Sequence, residues 1–153
     1  MGQRWLVAVT AMAVALACSG CGEKTVTMEE FNTRTVTLPD GFQVRAEVMM
    51  HPEDMLRGMM FRESLPEGRG MLFIHGEPGL YPYWMYQVRI PLDILWLDHN
   101  GKIVEISADT PPCRTDANSC PNYGGHELAL AVLELPAGSV KKHNLKVGMT
   151  VRF

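Results

Sequence analysis

The sequence predicts a mostly β, α+β fold: a compact antiparallel, barrel-like sheet with one or two short helices. Three observations lead there. Short apolar runs alternate with Gly- and Pro-containing turns along most of the chain, helical patterning is confined to brief stretches, and no βαβ unit repeats. At 153 residues and 46% hydrophobic content, the chain holds one packed domain and an export segment. A net charge of −3 with no basic patch sets nucleic acid aside as a partner.

Residues 1–17 read as a secretory signal. Arg4 is a minimal basic region, Trp5 to Ala17 is apolar but too short to span a membrane, and small residues precede Cys18. Val14-Ala15-Leu16-Ala17-Cys18 resembles a bacterial lipobox, which makes Cys18 the lipidated mature N-terminus; Cys21 fits that pattern less well. Several acyl chains would anchor the product stably to a membrane. Neither Ser19 nor Gly22 is the aspartate that would hold a sorted lipoprotein in an inner membrane. The expected location is therefore the outer membrane, facing the periplasm. Residues 18–32 form the lipidated N-terminus and a polar tether, and residues 33–153 the globular β-rich domain.

In that domain Thr33 to Leu38 and Phe42 to Met49 read as strands joined by Pro39-Asp40-Gly41. In the second, Phe42, Val44, Ala46 and Val48 alternate with Gln43, Arg45 and Glu47, the pattern of a half-buried strand. Pro52, Glu53 and Asp54 open a short helix that Gly58 closes, with Met55, Leu56 and Met59 facing the core. Met71 to Ile74 is a further strand, and Gly76 to Pro82 a loop.

Ile94 to Leu97 and Ile103 to Ala108 flank Asn100-Gly101, a strong hairpin signal. A two-residue loop there sets Leu97 opposite Val104, Leu95 opposite Ile106 and Asp93 opposite Ala108. That register places Asp93 on an apolar face, where a carboxylate needs a partner. An arginine, Arg62 or Arg89, is the expected one. Pro111 to Gly125 is a long irregular loop. Leu128 to Leu135 is another strand, Ser139 to His143 a helical turn, and Met149 to Phe153 a closing strand.

Several blocks together resemble domain-of-unknown-function family 192. They are Gly58-Met59-Met60-Phe61-Arg62, Gly70-Met71-Leu72-Phe73, Trp84-Met85, Ile90-Pro91-Leu92-Asp93-Ile94, and Leu133-Glu134-Leu135-Pro136-Ala137-Gly138. Asp98 with Gly101 and Ile103-Val104 completes the set, so that the resemblance runs from Thr33 to Phe153. It implies a compact β-rich domain, often exported, and no mechanism. The chain departs from the family where Lys-Asn-Thr usually follows Trp-Met: Tyr86, Gln87 and Val88 stand there.

Four groups of residues carry chemistry. Arg57, Arg62, Arg89, Asp93 and Glu134 are charges beside apolar blocks; two carboxylates serve as acid and base when their environments split their pKa values, and otherwise form structural ion pairs. Met49, Met50, Met55, Met59, Met60 and Met71, with His51 and His75, suit copper(I) chemically, but stand where a core uses Met as filler. Cys113 and Cys120 read as a disulfide in a Pro-rich loop of an exported protein, with zinc binding alongside His126 the alternative. Tyr81, Tyr83, Trp84, Tyr86, Trp96 and Tyr123 suit either packing or the walls of a polar pocket.

No Ser-His-Asp order, nucleotide loop or metal signature is present, so no catalytic residue, metal site or cofactor is assigned. The sequence favours a cell-envelope binding module over an enzyme, with Arg62, Tyr83, Trp84 and Asp93 around a site for a small molecule or an envelope protein. The alternative is acid-base, hydrolase-type catalysis by Asp93 and Glu134.

Overall fold

The computed structural model describes residues 32–153. The signal segment, Cys18 and nearly all of the tether lie outside the described residues. Strands β1 (Thr33–Thr37) and β2 (Gln43–Met49) form a hairpin, with Gly41 at φ +88° in its turn. Helix α1 (Pro52–Arg57) then leads to β3 (Arg69–Gly79), which runs parallel to β2. A two-residue strand β4 (Tyr83–Trp84) precedes the long hairpin of β5 (Leu92–Leu97) and β6 (Ile103–Thr110). A turn of 3-10 helix (Ala117–Ser119), β7 (Asn122–Tyr123), β8 (Ala129–Pro136) and helix α2 (Ser139–Lys142) follow.

The main sheet has six strands in the order β1-β2-β3-β8-β5-β6, and β4 pairs with β7 beside it. The β-rich α+β class matches the expectation, but the sheet is mixed and does not close into a barrel. The parallel β2/β3 pair is the reason: α1 and its flanking loops carry the chain back across one face, where a hairpin would have kept the pairing antiparallel. Nor is the C-terminal segment a strand. It makes isolated bridges, Thr150 to Lys102 beside β6 and Arg152 to Thr37 of β1, and so ties the two sheet edges together at one end.

Both faces of the sheet are covered. Val36, Val44, Leu95, Leu133, Leu145 and Val151 belong to one core, and Met59, Met71, Phe73, Ile94, Trp96 and Val132 to the other. All six residues of β5 are buried, which is why that strand is continuously apolar apart from Asp93. Leu56, expected inside, is 67% exposed on α1, whereas Met59 beyond the helix is buried.

The β5/β6 turn is longer than two residues. Asp98 Oδ1 accepts the amides of Asn100 at 2.8 Å and Lys102 at 2.9 Å, and Gly101 takes φ +76°. Leu97 therefore pairs with Ile103, not Val104; a bulge then restores the expected pairing of Leu95 with Ile106. A second irregularity between Leu92 and Ile94 leaves Asp93 without a residue directly opposite on β6.

Asp93 is fully buried, as its register required, but no arginine among the described residues holds it. Its Oδ1 accepts the amide of Asp109 at 2.7 Å, and its Oδ2 that of Val140 at 2.6 Å. The irregularity in β6, where Asp109 adopts φ +49°, and the first turn of α2 supply these donors. Arg62 pairs with Glu47 and Arg89 with Glu63 instead.

Candidate functional site

The cross-strand register sets a row of residues across the second face: Glu47 on β2 opposite Met71 on β3, opposite Glu134 on β8, opposite Ile94 on β5. Side chains in register across a sheet share a face, so both glutamates flank Met71 on the same side. Glu47 reads as an outward-facing residue in the β2 alternation. It is only partly exposed because the segments following β2 fold over this face. Arg62, from one of those segments, forks onto Glu47 at 2.7 and 2.6 Å, and Arg69 stands 3.9 Å away.

Glu134 is placed differently. It is 4% exposed, and its Oε2 is the one buried side-chain oxygen or nitrogen among the described residues with no hydrogen-bond partner. Burial pushes its pKa up to about 8, against a smaller downward pull from Arg62. At neutral pH the carboxyl is mostly protonated. A neutral acid inside an apolar wall is able to donate a hydrogen bond or to give up its proton.

The acid lines a small cleft of about 30 Å³, with Met55, Met59, Tyr83, Trp84 and Tyr86 among its walls. Two chain segments build the roof. Residues 58–62 and 85–88 meet in an isolated bridge between Met60 and Val88, and the Phe61 amide donates to the Gln87 carbonyl at 2.9 Å. Phe61 and Gln87 both have left-handed backbones, at φ 65° and 58°, each costing roughly 1–3 kcal/mol that the surrounding packing must hold. Asparagine tolerates this conformation better than glutamine does. The asparagine of the family's Lys-Asn-Thr pattern falls on Gln87.

A third layer fixes the roof from behind. Tyr83 packs edge-on against Phe73 and Trp96, and its hydroxyl lies 3.3 Å from His75 Nε2. Burial, then the charge of Glu134, raises the Tyr83 pKa. His75 stacks on Tyr81 at 3.5 Å, and burial lowers its pKa. Trp96 donates its indole N–H to the Tyr81 carbonyl at 2.8 Å. The Cys113 amide donates to Met85 O at 3.1 Å, tying the loop that pairs Cys113 with Cys120 to the roof.

Tyr83 and Trp84 therefore line one cleft with Glu134, whereas Arg62 is not among its lining residues and acts on Glu134 only through its charge. Asp93 is elsewhere. It pairs with Leu135, one position along from the Ile94–Glu134 pair, and so faces the opposite side of the sheet. The acid-base pairing of Asp93 with Glu134 is corrected on this ground: the sheet separates them. The methionines also divide. Met71 is core, Met55, Met59 and Met60 line the cleft, Met59 being buried as well, and Met50 is 60% exposed. His126 turns to Glu105, at 2.6 Å.

A mixed six-stranded sheet with an apolar core on each face, each holding a buried acid, defines a small β-rich α+β domain. The chain belongs to domain-of-unknown-function family 192 (DUF192), described as an uncharacterized ACR, which it matches over residues 35–153. No curated protein matches it. It is similar to a protein of unknown function from Novosphingobium aromaticivorans, with 28% identity over 79% of this chain and 84% of that one and a TM-score of 0.68. A Sinorhizobium meliloti protein, assigned provisionally as a transcription regulator, is 28% identical over 77% of this chain and 89% of its own, with a TM-score of 0.67.

Proposed function

We propose that this protein is a cell-envelope lipoprotein whose β-rich domain captures a small ligand in the cleft of Glu134, Tyr83 and Trp84. One observation carries the reading: the buried Glu134 carboxyl has an oxygen without a protein partner in the wall of that cleft. A buried polar atom left unpaired costs roughly 1–3 kcal/mol, and a ligand that satisfies it recovers that energy. Trp84 and Tyr86 at the cleft, with rings 5.2 Å apart, add amphipathic surface suited to small-molecule contact. The lipobox-like segment ending at Cys18 and the Cys113–Cys120 pairing suit an exported, outer-membrane setting.

The test is a thermal-shift screen of the full-length protein against envelope sugars, peptides and amines, repeated with Glu134→Gln and Trp84→Ala. A ligand of this cleft raises the melting temperature of the wild type and has little effect on either variant. Ligands that stabilise wild type and both variants equally would place binding elsewhere and end this reading.

A further inference from the structure

We infer that the ligand of the cleft is a small organic cation, an ammonium or methylated ammonium group seated against Glu134 between the rings of Tyr83, Trp84 and Tyr86. The inference rests on the binding role proposed for this cleft and names the chemistry of its ligand. Three properties of the walls select for positive charge. The carboxyl presents an acceptor with no donor against it. Tyr83, Trp84 and Tyr86 offer electron-rich ring surfaces, and the thioethers of Met55, Met59 and Met60 are soft and polarizable. A volume of about 30 Å³ admits a single headgroup and leaves the rest of a larger molecule outside.

The charged and titratable groups around the acid are few. Arg62 is held by both oxygens of Glu47 and Arg57 is exposed on the last turn of α1, while the Tyr83 phenol, whose pKa burial raises, stays neutral. On the strands that flank it, Met71 and Ile94 carry no charge. The two arginines work against a cation: Arg57 lines the cleft, although it is exposed to solvent, and Arg62 is committed to Glu47. Because Glu134 holds a proton up to about pH 8, a cation enters by exchange. The carboxyl O–H bond breaks, the proton leaves to solvent, and the ammonium takes its place beside the carboxylate.

Isothermal titration of the full-length protein with methylammonium and tetramethylammonium, against tert-butanol as a neutral match in size, tests this. The expected result is ammonium binding that strengthens about tenfold per pH unit between about pH 6 and 8 and levels off above, with about one proton released, as read from buffers of different ionisation enthalpy. Glu134→Gln, shown by its melt to be folded, loses that binding, and tert-butanol gives no heat. Glu134-dependent binding of tert-butanol or another neutral ligand without the ammonium ions overturns the cation and leaves the cleft as a binding site. Heat from neither set, with the thermal-shift screen also blank, overturns both.

Discussion

Asp93 and Glu134 stand on adjacent strands, one pairing position apart, and their carboxyls leave the sheet from opposite faces. Both are buried, yet their surroundings differ in kind. Asp93 accepts a backbone amide on each oxygen, from the end of β6 and from α2, and works as a structural clasp. Glu134 has an oxygen without a partner and a pKa held high. The same residue chemistry is spent on cohesion on one side and left available on the other.

Asp93→Ala leaves two part-buried amides without acceptors and should destabilise the protein by about 3 kcal/mol. Asp93→Asn keeps one acceptor oxygen and should cost less, about 2 kcal/mol. Denaturant melts of both variants measure this. A loss below about 0.5 kcal/mol for the alanine variant would show that the clasp contributes little.

Glu134 makes stability depend on pH in a defined window. Its pKa rises from 4.5, its ordinary value, to about 8 in the native state, so the native protein favours the protonated form. The contribution is fully present below about pH 4.5 and is lost as pH rises to about 8, at about 1.4 kcal/mol per pH unit, with no further change above. His75, whose pKa burial lowers, weakens the protein at acid pH, so the informative quantity is wild type minus Glu134→Gln. That difference should fall across the window in urea melts. A flat difference would mean that Glu134 is solvated or paired in solution.

Gly124 has φ +61°, and a Cβ there would lie 2.3 Å from the Trp96 ring. Gly124→Ala should cost about 3 kcal/mol, from backbone strain and overpacking together. Gly138 separates the two effects: it has φ +86° with nothing within 4 Å, so Gly138→Ala should cost only the backbone component, about 1–2 kcal/mol. Equal losses by thermal melting would mean that Trp96 yields readily to the new methyl group.

The export reading makes a chemical prediction. Cys18→Ser should abolish metabolic lipid labelling, and Cys113 and Cys120 should be bonded to each other in protein recovered from the envelope. Labelling that survives Cys18→Ser but disappears in Cys21→Ser reassigns the anchor. Peptide mass spectrometry that finds both loop thiols free removes the disulfide.

The sequence by itself determined the β-rich class, the location of most strands, the hairpin at Asn100-Gly101 and the burial of Asp93, because each is written in residues that are neighbours along the chain. Alternation sets which way a strand's side chains point, and a Gly or Pro sets where the chain turns. What covers a face and which donor meets a buried acid are decided by distant segments. The clasp on Asp93 depends on an irregularity in β6 and on α2, 47 residues away. Glu47 has the pattern of a solvent-facing residue and lost that role only when the segment carrying Arg62 folded over it. Glu134 lies in an apolar block whose sequence shows an acid out of place. Only the tertiary structure separated it from Asp93, because a shift of one residue along a strand turns a side chain to the other face of the sheet.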